Sequence, residues 1–318
     1  MEFLDPFDAK LARANMRGQW KSEEFLQQAI GGPQPAGVPA LWKWGEVASM
    51  LEEAGRVRPK SLQARRSLIF QNPALPRGTT HTINMGVQVI QPGEIAWAHR
   101  HSIAALRFII QGHPRLSTIV DGERCVMEDC DLVLTPSWSW HDHHNESDEP
   151  AYWLDVLDVG LVLGLNQTFY EPGTGKEQPA PAKPARPGAR KHYPWTEVEP
   201  RLLERPVTPQ AGRLYEYLNA TGGATLPTLA CQVQSLPPSF ATSEVRRTSS
   251  AVYFVVRGTG ATVVEGEKLS WSGNDCFTVP NWARHRHENR SRSDDAVLFS
   301  VHDTPALRAL GLYREEGA

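Results

Sequence analysis

The sequence predicts a mainly β chain, with two similar domains of short strands behind an N-terminal helical segment. Three observations lead there. From about Arg65 the chain reads as short apolar runs bounded by Gly, Pro, Asn and Asp, as in Gly86–Ile90, Leu106–Ile110 and Asp131–Thr135. That texture belongs to a β-sandwich or barrel. The second half then repeats the first in order. Pro136-Ser-Trp138-Ser-Trp-His141-Asp-His143-His-Asn145 aligns with Pro280-Asn-Trp282-Ala-Arg-His285-Arg-His287-Glu-Asn289, sharing P-x-W-x2-H-x-H-x-N. Leu106-Arg-Phe-Ile-Ile-Gln-Gly112 likewise matches Val252-Tyr-Phe-Val-Val-Arg-Gly258. Such self-similarity is the mark of a duplicated domain.

The elements follow in chain order. Residues 1–60 read as helical, because Ser22–Gln28 and Trp44–Leu51 space apolar residues at helical intervals, and Gly31-Gly32-Pro33 to Pro39 breaks them. Residues 61–170 form the first β-domain. Residues 171–190 hold Pro172, Pro179, Pro181, Pro184 and Pro187 and read as an extended linker. Residues 191–318 form the second β-domain.

Composition narrows the function. The 318 residues are 40% hydrophobic and 22% charged, as in an ordinary globular protein of about two domains. A net charge of −3 gives no footing for nucleic acid or an anionic membrane. The N-terminus lacks a basic, then apolar, leader, and no run is long and apolar enough to span a bilayer. The four cysteines show no CxxC spacing and read as buried thiols of a reducing cytoplasm.

Chemistry concentrates in His99-Arg100-His101 and in His141. Histidines at i and i+2 on a strand share a face, and a third from a neighbouring strand completes three ligands on one side of a metal ion. Three fixed ligands leave positions open for substrate and oxygen. Arg107 follows on the same strand, six residues from His101, and that even spacing from both histidines puts its side chain on their face. An arginine aimed into a barrel needs an anion, either a substrate carboxylate or a buried Asp or Glu. His143 shares a face with His141 and is a candidate to bind substrate or carry a proton. Trp140, which Arg284 replaces in the second copy, is a candidate wall of the site. Trp138, which recurs as Trp282, reads as core, and Asp142 reads as a surface residue. Gln88, in an alternating strand, either hydrogen-bonds substrate or faces solvent.

Both halves resemble the double-stranded β-helix, or jelly-roll, pattern of the cupins. Its first motif, G-x5-H-x-H-x3-E-x6-G, falls on Gly93, His99, His101, Ala105 and Gly112; its second, P-x-G-x2-H-x3-N, falls on Pro136, Trp138, His141 and Asn145. Ala105 replaces the glutamate, so the site keeps three neutral histidines. In the second half the same positions fall on Val245, Arg247 and Ala251, leaving His285 alone, so this domain is expected to be metal-free. Its His287, standing where no metal is expected, lends His143 a structural explanation as well.

Over residues 60 to 316 the chain resembles the gentisate/salicylate 1,2-dioxygenase family of bicupin ring-cleaving enzymes. The resembling stretches are His99-Arg-His-Ser-Ile-Ala-Ala-Leu-Arg-Phe-Ile, Pro136-Ser-Trp-Ser-Trp-His-Asp-His-His-Asn, Trp153-Leu-Asp-Val-Leu-Asp158 and Leu310-Gly-Leu-Tyr-Arg-Glu-Glu316. The resemblance implies one non-haem Fe(II) per subunit, use of O2 and a homotetramer. It assigns His99, His101 and His141 to iron, and Arg107 to the substrate anion. One of Arg65 and Arg66 is implied as a second anion-binding arginine, Gly86 and Gln88 as pocket lining, and His143 as a substrate-contacting or supporting histidine. Asn84 and Met85 stand where the family carries aromatic or small residues, and His144 where glycine is commoner. The implied substrate is a 2-hydroxybenzoate (gentisate, salicylate or a 5-substituted salicylate such as nitrosalicylate), cleaved between the carboxyl-bearing and hydroxyl-bearing carbons. The alternatives are 1-hydroxy-2-naphthoate, another metal-dependent oxygenase or isomerase of the cupin class, and a non-catalytic cupin that binds a small aromatic acid.

Overall fold

Each half of the chain closes into a barrel of two facing sheets. The computed structural model describes residues 6–57, 66–178 and 190–317. In the first half a six-stranded sheet runs His192–Tyr193, Leu132–Thr135, Ala105–Gln111, Ala151–Leu157, Asn84–Ile90, Arg66–Ile69. It faces a five-stranded sheet ordered Tyr170–Pro172, Ile95–His101, His141–Asn145, His113–Val120, Glu123–Met127. The second half repeats this. Its six strands run Ala40–Trp42, Cys276–Val279, Ala251–Arg257, Ala296–His302, Ala230–Leu236, Arg213–Glu216. Its five run Glu267–Ser272, Thr259–Val264, His285–Asn289, Val245–Arg247, Glu315–Gly317. This is the predicted pair of jelly rolls.

Period-two alternation sorts the side chains. On Asn84–Ile90, Met85, Val87 and Val89 point out of the barrel into a core shared with the second domain, and Ile90 points inward with Ile109 and Trp153. The second domain contributes Val233, Val252, Phe254 and Phe299 to the shared core. Phe108 stacks on Phe299 with ring centroids 4.2 Å apart and meets Phe254 at 5.7 Å. The two six-stranded sheets therefore pack back to back, and both barrel interiors face away from the join.

Two reciprocal hydrogen bonds pin this join. Thr82 donates to Asp303 at 2.6 Å, and Thr228 in the other half donates to Asp158 at 2.6 Å. Asp158 also accepts from the Ala104 amide at 2.8 Å, and Asp303 from the Ser250 amide at 3.0 Å. Burial raises the pKa of both carboxyls, against these hydrogen bonds.

The flanking segments depart from the sequence reading. The N-terminal region contains the expected helices Glu23–Gln28 and Trp44–Val57, but Ala40–Trp42 is a strand paired with Cys276–Val279. Helix Trp44–Val57 then buries Val47 and Leu51 in the shared core. Its first amide donates to Asp275 Oδ1 at 2.8 Å, and Lys43 pairs with the same carboxylate at 2.7 Å. A carboxylate from the second domain thus caps this helix. After the Pro-rich stretch, of which 179–189 lie outside the described residues, His192–Tyr193 returns to the first barrel's sheet. Hydrophobic patterning cannot reveal such pairings, since a three-residue edge strand has no period of its own. Among the described residues no helix is long and apolar enough to cross a membrane.

The join yields a stability prediction. Thr82→Val and Thr228→Val each leave a buried carboxylate oxygen without its donor, so each should lower the unfolding free energy by about 1–3 kcal/mol. Urea denaturation followed by tryptophan fluorescence measures this. Loss of less than about 0.5 kcal/mol from both, the range of ordinary surface changes, would deny the pair its role.

Candidate metal centre

His99 and His101 stand on Ile95–His101, and His141 opens the adjacent strand His141–Asn145. The pairing register slips between Ala96 and His99, so that His99 lies directly opposite His141. This β-bulge brings the imidazoles together. Each offers a nitrogen within 4.8 Å of the others. Ring centroids are 4.2 Å apart for His99 and His141, 5.0 Å for His101 and His141, and 5.4 Å for His99 and His101.

Backbone carbonyls set the tautomers. Nδ1 of His99 bonds the Trp97 carbonyl at 2.8 Å, that of His101 the Ile103 carbonyl at 2.6 Å, and that of His141 the Ser139 carbonyl at 3.0 Å. A carbonyl can only accept, so each Nδ1 carries the proton and each Nε2 keeps its lone pair. Nε2 of His141 is buried with no hydrogen-bond partner among the described residues. Burial, with Arg107 and the neighbouring histidines adding to it, holds this imidazole well below its ordinary pKa and so neutral. An orphaned buried nitrogen beside two more neutral imidazoles fits a divalent first-row metal.

The three histidines open on a cavity of about 370 Å³. Arg107 lines it, but from a different strand and sheet than the sequence reading placed it. A turn at 102–104 separates Ile95–His101 from Ala105–Gln111, and Arg107 reaches the histidines from the opposite wall. Its Nε lies 3.2 Å from Asp155 Oδ1 on the neighbouring strand, and Nη1 donates to Thr135. Asp155 is the residue that sequence reasoning missed. It sits inside a resembling stretch at an inward position, where a carboxylate beside an inward arginine was the available signal.

Gly86, Gln88, Asn84 and Met85 all line the cavity, although the Met85 side chain also packs in the shared core. Gln88 is buried and accepts a hydrogen bond from Ser67 at 3.1 Å, so it does not face solvent. Gly86 has a packing reason: a Cβ there would stand 2.4 Å from the Leu68 carbonyl oxygen. The rest of the wall is largely apolar, with Ile69, Ile103, Leu157, Val159 and Phe169. Tyr170 completes it, its ring 5.7 Å from that of His99.

His143 lines the cavity, is buried, and has Nδ1 2.7 Å from the Thr118 hydroxyl. The second barrel repeats this contact at 2.9 Å between His287 and Thr262. A scaffold role is therefore built into His143 whatever else it does.

Other expected site residues lie elsewhere. Arg66 is buried and ion-paired with Glu94, outside the cavity lining, and Arg65 lies outside the described residues. Trp140 takes the Arg100 guanidinium over its ring at 4.9 Å and does not line the cavity. Trp138 is 41% exposed rather than core, because φ of 64° at the motif's glycine position turns its side chain outward. Trp282 has φ of 61° yet is buried, since residues of the N-terminal segment cover it and Gly31 accepts its indole N–H at 3.1 Å. Asp142 is buried rather than at the surface, accepting from the Gln178 amide at 2.7 Å and lying 3.1 Å from His144 Nε2.

His101→Ala should remove one of three ligands and abolish tight metal binding, read by elemental analysis after dialysis. His143→Gln and His287→Gln provide a matched pair. Equal losses of Tm, with metal content unchanged in both, would mark the shared structural role. A further loss of turnover confined to His143→Gln would mark chemistry.

The comparisons agree with this geometry. The family model described as a cupin domain matches residues 86–157 and 232–302. A 1-hydroxy-2-naphthoate 1,2-dioxygenase of Nocardioides sp. (strain KP7) is 44% identical over 98% of this chain and 87% of its own length. A 5-aminosalicylate 1,2-dioxygenase of Comamonas sp. is 39% identical over 98% and 90%. The crystal structure of a salicylate 1,2-dioxygenase from Pseudaminobacter salicylatoxidans superposes with a TM-score of 0.88 at 27% identity, over 99% of this chain and 97% of that one. A duplicated jelly roll, one three-histidine centre and relatives of this kind along nearly the whole chain lead to one conclusion: the chain belongs to the gentisate/salicylate 1,2-dioxygenase family of bicupin ring-cleaving dioxygenases.

Proposed function

We propose that this chain is an Fe(II) enzyme that opens the ring of an ortho-hydroxy aromatic carboxylate. The bond broken joins the carboxyl-bearing and hydroxyl-bearing carbons of gentisate, salicylate or a 5-substituted salicylate. The observation that carries the reading is the three-histidine centre opening on a cavity with Arg107 on the facing wall. His99, His101 and His141 would hold the iron, one per chain, through their Nε2 atoms. The iron would supply the redox chemistry by which O2 reacts with a closed-shell ring.

The chain's own residues do the positioning. Arg107 binds the substrate carboxylate, with Asp155 and Thr135 fixing the plane of the guanidinium. Gln88, held by Ser67, presents a second polar contact. The apolar wall excludes water from the ring being opened. His143 can accept a proton from the substrate at Nε2. Thr118 donates to Met127 Sδ at 2.9 Å, so Nδ1 of His143 is the donor toward Thr118 and Nε2 is the basic atom. Four free cysteines, three of them buried, support a reducing cytoplasm. Burial pushes Cys125 and Cys130 up to about 12, which makes them poor nucleophiles. Membership of the family supports a homotetramer.

A second reading is 1-hydroxy-2-naphthoate. It is favoured by the 44% identical relative and by Ile69, Ile103, Leu157 and Val159, which offer an apolar bed for a fused ring.

Anaerobic loading with Fe(II), then O2 uptake and ultraviolet spectra across gentisate, salicylate, 5-aminosalicylate, 5-nitrosalicylate and 1-hydroxy-2-naphthoate, tests both. O2 uptake with loss of the aromatic spectrum is expected; iron-loaded protein that consumes no O2 with any of them sinks the proposal. The ratio of kcat/KM for the bicyclic and monocyclic acids decides between the readings. Arg107→Met should raise KM by about 10- to 100-fold, the weight of a charge-assisted contact of about 1.5–3 kcal/mol.

A further inference from the structure

A cavity of about 540 Å³ lies in the second barrel. The two barrels are built alike around their mouths. In the first, Tyr170–Pro172 pairs with the end of Ile95–His101, with Tyr170 opposite His101 and Arg100 bonded to Glu171. In the second, Glu315–Gly317 pairs with Val245–Arg247, with Glu315 opposite Arg247 and Arg246 bonded to Glu316. Where the first barrel has a metal-binding histidine under a tyrosine, the second has an arginine under a glutamate. The interior keeps a fixed positive charge in place of the metal, with a carboxylate of its own chain upon it: Arg247 Nε lies 3.2 Å from Glu315 Oε2.

The cavity also holds unspent polar groups. Gln234 Nε2 and His302 Nδ1 belong to residues that line it, are shielded from solvent, and have no hydrogen-bond partner among the described residues. Gln234 is more than nine-tenths buried. Native interiors do not leave such groups unmet. The Gln234 amide offers N–H donors, so it calls for an acceptor-bearing guest. Tyr253 and Tyr313 add aromatic surface, and Arg308 a second cation at the rim, opposed there by Glu216. The volume lies in the ordinary range of small-molecule sites.

We propose that the second barrel is a binding site for a small aromatic carboxylate, which displaces Glu315 from Arg247 and takes its donors from Arg247 and Gln234. Glu315 is thereby an internal occupant of the guest's carboxylate position. Tyr313, which donates to Glu315, holds the latch closed when the site is empty. The site is separate from the ring-cleaving centre and stands or falls without it.

Benzoate is the probe, titrated calorimetrically into the full-length Arg107→Met protein, in which the first barrel's carboxylate contact is removed. Saturable binding with a millimolar or tighter Kd is expected. Adding Glu315→Gln should tighten it about tenfold, since the competing charge is gone. Adding Arg247→Met should weaken it at least tenfold. Arg308→Ala, on an exposed helix position, should weaken it without risk to folding. Absence of saturable binding to the Arg107→Met protein overturns the proposal. So does a Kd that Glu315→Gln and Arg308→Ala both leave within twofold. Either failure leaves O2 uptake by the iron-loaded wild type untouched, so the two readings are judged separately.

Discussion

The back-to-back packing of the two six-stranded sheets is the constraint on which the rest of the molecule depends. Phe108, Phe254 and Phe299, with the valines and leucines around them, bury the outer faces of both sheets in one core. Each such side chain contributes about 1.5–3 kcal/mol when fully buried. With the apolar mass placed between the barrels, the barrel interiors need not be the main hydrophobic core. They can hold Arg107, Gln88, Asp155 and three histidines in one case, and Gln234, Ser300, His302 and Arg247 in the other. The reciprocal bonds Thr82–Asp303 and Thr228–Asp158 show that the join has kept the near-twofold symmetry of a duplicated chain.

Comparing the barrels separates scaffold from chemistry. Asn145 and Asn289 tie the same turn in both, donating to Glu149 and Asp294 carbonyls at 2.8 Å. Trp138 and Trp282 hold the same left-handed backbone, and their amides donate to His101 and Arg247 carbonyls at 2.7 and 2.5 Å. Thr118–His143 and Thr262–His287 are equivalent pairs. Three inward positions differ: His101 against Arg247, Arg107 against Tyr253, Tyr170 against Glu315. Those are the places the fold leaves open, and there the two barrels carry different chemistries on one frame.

The sequence was legible where a local rule decides position. Alternation put His99 with His101 and His141 with His143, and the repeat exposed both the duplication and the shared scaffold residues. It was silent where position depends on pairing across the chain. The bulge between Ala96 and His99 aligns His99 with His141, and it exists only in the register of two strands. Arg107 reaches the site because the chain turns at 102–104 and crosses to the other sheet. Asp155 meets it from a strand distant in sequence. Arg66 could not be read as the partner of Glu94, because charge alone does not name a partner. Trp138 and Trp282, identical in the repeat, differ in burial only because the N-terminal segment covers one of them.

Arg107 shows how a barrel interior can hold a buried charge. An unpaired guanidinium in a barrel interior would be costly, and the chain meets that cost with Asp155. A carboxylate held beside an arginine would be expected to compete with an anionic substrate. Here it approaches Nε, on the side of the guanidinium nearest the stem, while Thr135 takes Nη1. Both contacts fix the plane of the group, and a planar fork of five donors recognises a carboxylate by orientation as much as by charge. The ion pair therefore serves stability, and on the proposed function it also serves alignment of a substrate carboxylate. The second barrel solves the same problem differently: Glu315 sits on Arg247 from the mouth, on a strand at the sheet edge with its side chain partly exposed, where an incoming anion can replace it. One barrel keeps its counter-ion in the wall and the other keeps it in the doorway.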